Sequence, residues 1–187
     1  MKNSYVLGLC GHAGAGKDMV ADFLVKEFGF VRMALSDPIK EMAHIYFGVP
    51  QDQLHRSDKP EKVRWLLQQL GTEIGRTFEP DIWIKTLCRR IEASPEPRIV
   101  VTDIRFPNEA GNLYLIADLI LILRPDNPNI GKEMMQHASE TSIEKILSDL
   151  FLYTFLNVEG KQDDLLHSIA MRVKGQLICH NSLKTPE

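Results

Sequence analysis

Residues Gly8 to Val20 read GLCGHAGAGKDMV, and within them Gly11, Gly16 and Lys17 satisfy the spacing G-x-x-x-x-G-K, with Gly14 adding freedom in the middle. The flanks decide what this stretch can fold into. Tyr5, Val6, Leu7 and Leu9 form a compact apolar run that predicts a buried strand from about Ser4 to Cys10, stopping at Gly11. Val20, Phe23, Leu24 and Phe28 recur at three- and four-residue steps, which predicts an amphipathic helix from about Lys17 to Gly29. A strand, a glycine-rich turn and a helix in that order let backbone N–H groups close around an anion. The positive end of the helix then faces the bound charge.

The rest of the chain extends the same alternation. SDPIKEMAHIYFG predicts a capped helix ending at Gly48, KPEKVRWLLQQLGTEIG a longer one, and DIWIKTLCRRIEA another before Pro95 and Pro97. RIVVTDIRF and ADLILILRP have the β-branched density of buried strands. From Arg124 to Glu140 the composition shifts to Pro, Asn, Gly and Met, predicting an excursion from the sheet. FLYTFLNV reads as a last strand, and a helix from about Gln162 to Leu177 follows, with a loose tail after His180. These elements imply an α/β fold in three layers around a mostly parallel sheet.

Bulk properties limit the function. A chain of 187 residues, 44% hydrophobic, fits one globular domain. With 22 basic and 25 acidic side chains the formal charge is -3, so overall charge gives no reason to bind a nucleic-acid polymer. Cys10, Cys88 and Cys179 are too few and too scattered for a disulfide framework or a zinc site, and no apolar run is long enough for a signal peptide or a membrane span. A cytoplasmic protein is expected.

In a G-x-x-x-x-G-K loop, Gly11, Ala13, Gly14, Ala15 and Gly16 would present amides to a polyphosphate while Lys17 reaches its terminal oxygens. The motif usually continues with a hydroxyl residue that serves Mg²⁺; here Asp18 stands in that place. Its carboxylate suits the same hard cation, directly or through water, and equally suits the first turn of a helix, where an acid opposes the dipole. Asp103, at the end of RIVVTDI, lies at the carboxyl edge of a strand, where ligands of parallel sheets gather. It reads as a metal or acceptor ligand, or as a turn residue. Arg105 just beyond is suited to two-point phosphate contact.

GHAGAGKD, ALSDPIKEMA, RWLLQQLGTEIGR followed by DIWI, VVTDIRFPNEA, and LRP leading to HASE occur in the order seen in bacteriophage-type deoxynucleoside monophosphate kinases, which this chain resembles from about residue 5 to residue 178. Aspartate after the lysine is frequent in that family. The resemblance implies a P-loop kinase that uses ATP and Mg²⁺ to phosphorylate a deoxynucleoside 5′-monophosphate in the cytoplasm, the host's if the gene is phage-borne. It implies a helical acceptor region at about 36–94 and a lid at about 124–141 within a single domain, and leaves a homodimer open. Carried over by position, Asp37, Lys40, Arg64, Gln68, Thr72, Glu73 and Arg76 would serve the acceptor, with Trp83 packed nearby and Arg105 and His137 contributing. On a helix, Arg64, Gln68 and Thr72 would share one face. Lys17, Asp103, Arg105 and Arg124 would carry catalysis, with Asp18 and Asp103 as metal ligands. The lid departs from arginine-rich versions, since Lys132 and His137 are its only other basic groups besides Arg124. HASE places His137, Ser139 and Glu140 there.

Two other readings compete. One is a small P-loop kinase acting on a nucleoside, a coenzyme precursor or a small alcohol. The other is a nucleotide-dependent switch, which the absence of N-K-x-D and D-x-x-G segments disfavours.

Overall fold

A computed structural model describes residues 4–56, 58–125, 142, 145, 146 and 148–182. Among them the elements run β1 (Tyr5–Cys10), α1 (Lys17–Phe28), β2 (Val31–Met33), α2 (Asp37–Phe47), α3 (Gln51–His55), α4 (Glu61–Gln68), a π-helix (Gln69–Arg76), α5 (Ile82–Ala93), β3 (Arg98–Ile104), α6 (Pro107–Leu113), β4 (Asp118–Leu123), a 3-10 turn (Ser148–Leu150), β5 (Tyr153–Leu156) and α7 (Gln162–Ser182). The chain forms two compact units, Met1–Arg32 with Pro95–Glu187, and Met33–Ser94.

The first unit is built on a parallel sheet of order β2-β3-β1-β4-β5. The α/β fold expected from the sequence is the one found. All six residues of β1 are buried, because a central parallel strand has neighbours on both edges and helices on both faces. Its apolar run Tyr5, Leu7 and Leu9 packs with Val20, Ala21 and Leu24 of α1, with Val100, Ile120 and Ile122 of the flanking strands, and with Leu165, Ile169 and Val173 of α7. The α1 periodicity therefore marks a core face.

Parallel register places every carboxyl terminus at one edge. Cys10 pairs with Ile104 on one side and Leu121 on the other, and Leu123 pairs with Leu156. The chain passes from β3 to β4 across β1, so the order reverses beside the strand that leads into the glycine loop. That is where open α/β sheets leave a crevice for ligands.

The second unit is helical around Ala43, Val49, Leu54 and Val63, against which Leu66, Leu67 and Leu70 pack. One expectation is corrected here. The helix read from Lys59 to Gly75 is α-helical only to Gln68 and then π-helical through Arg76. Bonding five residues back widens the turn. Local packing requires glycine at two of its positions. A Cβ on Gly75 would overlap the Trp83 ring and stand 2.8 Å from the Leu70 carbonyl, while one on Gly71 would stand 2.9 Å from Ile39 Cδ1. The Trp83 indole N–H donates to the Gly71 carbonyl at 2.7 Å. The widened turn and the indole donor occur together.

At the C-terminus, α7 continues to Ser182, past the stop expected at Leu177. No helix among the described residues is long and apolar enough to cross a membrane.

Candidate phosphate-binding site

Gly11, Gly14 and Gly16 take φ values of 145°, 75° and 101°. The last of these is the N-cap of α1, and no side chain caps the helix. A helix start without a side-chain cap suits an anion, and the turn before it is built from conformations that L-residues with side chains resist. Lys17 is 7% exposed, and its ammonium donates to the carbonyls of Gly11 and His12 at 2.7 Å each. Those bonds stretch the lysine back over the loop and fix its charge at the mouth. A concave loop with uncapped helix amides and a buried ammonium fits a polyphosphate chain.

The loop is also held from outside. Asn157, just beyond β5, is 5% exposed and donates its side-chain N–H to the Ala15 carbonyl at 2.9 Å. Its own backbone N–H donates to Leu123 at 2.7 Å, continuing the β4–β5 ladder. A Cβ on Gly16 would overlap the Asn157 amide nitrogen. Sequence reasoning passed over Asn157; its signal was an amide side chain at the carboxyl end of a strand, a position polar residues also occupy as turn formers.

Asp18 points outward. Its side chain is 82% exposed and ion-paired with Arg32, which also reaches Asp22 at 3.2 Å. Arg32, unremarked in the sequence, thus offsets the negative charge that Asp18 adds next to the loop.

Beyond β3 the turn is organised by Glu109. This carboxylate is 1% exposed, and Oε2 accepts the backbone N–H groups of Arg105 at 2.8 Å and Phe106 at 2.9 Å. The DIRFPNE block thereby acquires a physical reading: Pro107 starts α6, Glu109 caps it, and the capped turn sets the backbone that carries Asp103 and Arg105. Asp103 and Arg105 are both half-buried at the edge into which β1 delivers the glycine loop. Near them, burial pushes the Cys10 thiol well above the usual range; the Lys17 charge opposes this and that of Glu109 adds to it.

Arg124 follows β4 directly. With His12, Ala15, Ile122, Leu123, Pro125 and Leu156 it lines a largely apolar cavity of about 240 Å³ beside the loop. Of the lid assigned to 124–141, only Arg124 and Pro125 are described; Lys132, His137, Ser139 and Glu140 lie outside the described residues.

In the helical unit, the acceptor candidates divide into two kinds. Asp37 and Trp83 hold structure: Asp37 Oδ2 accepts the Ala34 N–H at 2.8 Å and pairs with Arg90 at 3.2 Å, while buried Trp83 supports the π-helix. Arg64, Gln68 and Glu73 are exposed, and Lys40, Thr72 and Arg76 are half-buried. Lys59, which was not singled out in the sequence, joins them. Desolvation first, and then repulsion from Lys40 and Arg64, holds its ammonium below the ordinary lysine range. These three cations stand close enough to repel one another, an arrangement that an anion relieves.

Among the described residues no group of three or more His, Cys, Asp or Glu is placed to hold a metal ion unaided. A cation here would draw most of its oxygens from phosphate and water, as Mg²⁺ does at nucleotides.

Comparison with family models finds no match, and comparison with curated proteins finds none. Among solved structures, the chain is similar to shikimate kinase from Acinetobacter baumannii in complex with shikimate, at 17% identity and TM-score 0.56, covering 98% of this chain and 97% of that one. It is similar also to shikimate kinase from Aquifex aeolicus, at 13% identity and TM-score 0.52 over 92% and 98% of the two chains. Dephospho-CoA kinase from Campylobacter jejuni matches at 18% identity and TM-score 0.50 over 94% and 100%. The shared property is the P-loop kinase fold.

Proposed function

We propose that this protein transfers the γ-phosphoryl group of ATP to the phosphate of a deoxynucleoside 5′-monophosphate, giving the diphosphate and ADP. The observation that carries the phosphoryl-transfer part is the loop from Gly11 to Lys17, with an uncapped helix start and a buried ammonium spanning its mouth. Backbone amides of Ala13, Gly14 and Gly16 grip the polyphosphate, joined by that of Ala15 once it exchanges its bond to the His12 carbonyl at 3.1 Å, and Lys17 draws charge from the terminal oxygens. The apolar cavity beside Arg124 receives the donor base. Asp103 and Asp18 would be the protein oxygen donors to Mg²⁺, which when bound would neutralise phosphate charge. For Asp18 this requires exchange of its Arg32 partner.

Arg105 and Arg124 stabilise the charge on the transferring group, while Asp103 also orients the acceptor. The acceptor monophosphate is assigned to Lys40, Lys59, Arg64 and Arg76, with Gln68, Thr72 and Glu73 addressing sugar and base. A monophosphate oxygen is already a competent nucleophile, so no covalent enzyme intermediate is needed. Placement alone is worth about 7–11 kcal/mol in such reactions.

The second reading is transfer to a small alcohol or a coenzyme precursor, supported by the names of the structural neighbours. A coupled assay with ATP, Mg²⁺ and a panel of deoxy- and ribonucleoside monophosphates, shikimate and dephospho-CoA separates the two. ADP formation with deoxynucleoside monophosphates alone supports the first; formation only with an alcohol acceptor transfers the assignment to the second. ATP or GTP consumption that ignores every acceptor would point to a switch.

A further inference from the structure

We infer that Asn157 is a positioning residue for the phosphate loop: its side-chain amide fixes the orientation of the Ala15–Gly16 peptide and so aims the Gly16 N–H at the bound polyphosphate. The inference rests on the phosphate-loop reading of Gly11 to Lys17.

A trans peptide holds its C=O and N–H in one plane, pointing in opposite directions on either side of the C–N bond. With the Ala15 carbonyl held by Asn157 Nδ2 at 2.9 Å, the Gly16 N–H must point away from Asn157. Rotation of that peptide would break the bond and turn a carbonyl oxygen, in place of a donor, toward phosphate. Gly16 and Asn157 are matched, since only a residue without Cβ permits the amide nitrogen to come so close. The clamp is anchored, because the Asn157 backbone N–H is tied to Leu123 at 2.7 Å.

The remaining atom of the amide argues for this use. Asn157 Oδ1 is buried and has no hydrogen-bond partner among the described residues. The large majority of buried side-chain polar atoms have a hydrogen-bond partner, so an unpaired one calls for a reason. Here one end serves the loop and the other is left unpaired, as tolerated where a side chain is retained for one directed bond.

The test uses inorganic tripolyphosphate, which engages the loop without needing the base cavity or any acceptor. Asn157→Asp keeps the shape, loses the donor and adds a negative charge; Asn157→Ala loses the amide without adding charge, so its affinity reads the lost bond alone. In calorimetry on protein verified as folded by near-UV circular dichroism, both variants are expected to bind tripolyphosphate and ATP at least tenfold more weakly than the unmodified protein. Adenosine affinity and the acceptor KM stay within twofold. Equal tripolyphosphate affinity in either folded variant overturns the inference.

Should neither variant fold, the unmodified protein still decides. The Asn157 side-chain amide resonance in ¹⁵N NMR is expected to shift on saturation with tripolyphosphate, and an unmoved resonance overturns the proposal. If the unmodified protein binds neither tripolyphosphate nor ATP, the phosphate-loop reading itself fails.

Discussion

Replacing Gly16 by alanine probes the loop most sharply, because two independent geometric facts oppose a side chain there. The backbone sits at φ 101°, ψ 13°, a left-handed conformation that costs an L-residue about 1–2 kcal/mol. The new Cβ also overlaps Asn157 Nδ2, and Asn157 is buried and tethered at Leu123, so it yields by giving up its bond to Ala15. That loss adds about 0.5–1.5 kcal/mol. Together, Gly16→Ala should destabilise the protein by about 1.5–3.5 kcal/mol, which for a chain of this size lowers Tm by about 3–14 °C. Scanning calorimetry with and without ATP is the assay. ATP at a hundred times Kd should stabilise the unmodified protein by about 2.7 kcal/mol, and the variant should lose most of that response because its loop amides no longer converge. A variant that melts within 1 °C of the original and keeps its ATP response would refute the reasoning.

Trp83→Phe removes the indole donor to Gly71 and should cost about 1–3 kcal/mol, raising the acceptor KM and leaving the ATP KM unchanged; steady-state kinetics with each substrate varied checks the split. Lys59 loses its proton at lower pH than the ordinary lysine value of 10.5, through desolvation and then Lys40 and Arg64. Below its lowered value the ammonium is charged and attracts a phosphate, so the acceptor KM should rise as pH climbs from there toward 10.5. Lys59→Met should show a higher and flatter KM across that window. Alkylation with iodoacetamide at mildly alkaline pH, mapped by mass spectrometry, should modify exposed Cys179 readily and leave Cys10 intact until the protein unfolds, since burial holds that thiol protonated.

Much of the sheet was legible because its signals are local. The apolar run of β1, the three- and four-residue steps of α1 and the β-branched density of β3 and β4 each report one element's own burial. Short elements escaped: Val31–Met33 is a three-residue strand, and Gln51–His55 is a single turn or so between prolines and charges. The π-helix escaped for a different reason. It goes with the close approach of Trp83 and Ile39 to Gly75 and Gly71, a tertiary fact that α-helical periodicity does not encode.

The site shows the same division. The glycine spacing exposes the loop, but the groups that hold the surrounding backbone and charge in place are Asn157, Glu109 and Arg32, and each reaches its partner through the fold. Asn157 acts on a residue 142 positions away. Glu109 looks like one more surface acid until Oε2 is seen accepting two backbone amides at 1% exposure. Asp18, ambiguous between metal ligand and helix acid, takes a third kind of partner in Arg32, from a strand too short to be expected from its own residues.

The central claim is directed transfer from a loop-held triphosphate to an acceptor phosphate. It is tested most directly by following the label from γ-³²P ATP with Mg²⁺ and single deoxynucleoside monophosphates, for the unmodified protein and for Lys17→Ala. The account predicts label in a deoxynucleoside diphosphate, in step with ADP and dependent on the acceptor, and its loss in the folded lysine variant. Label released only as inorganic phosphate, or a Lys17→Ala protein with undiminished transfer, would contradict it.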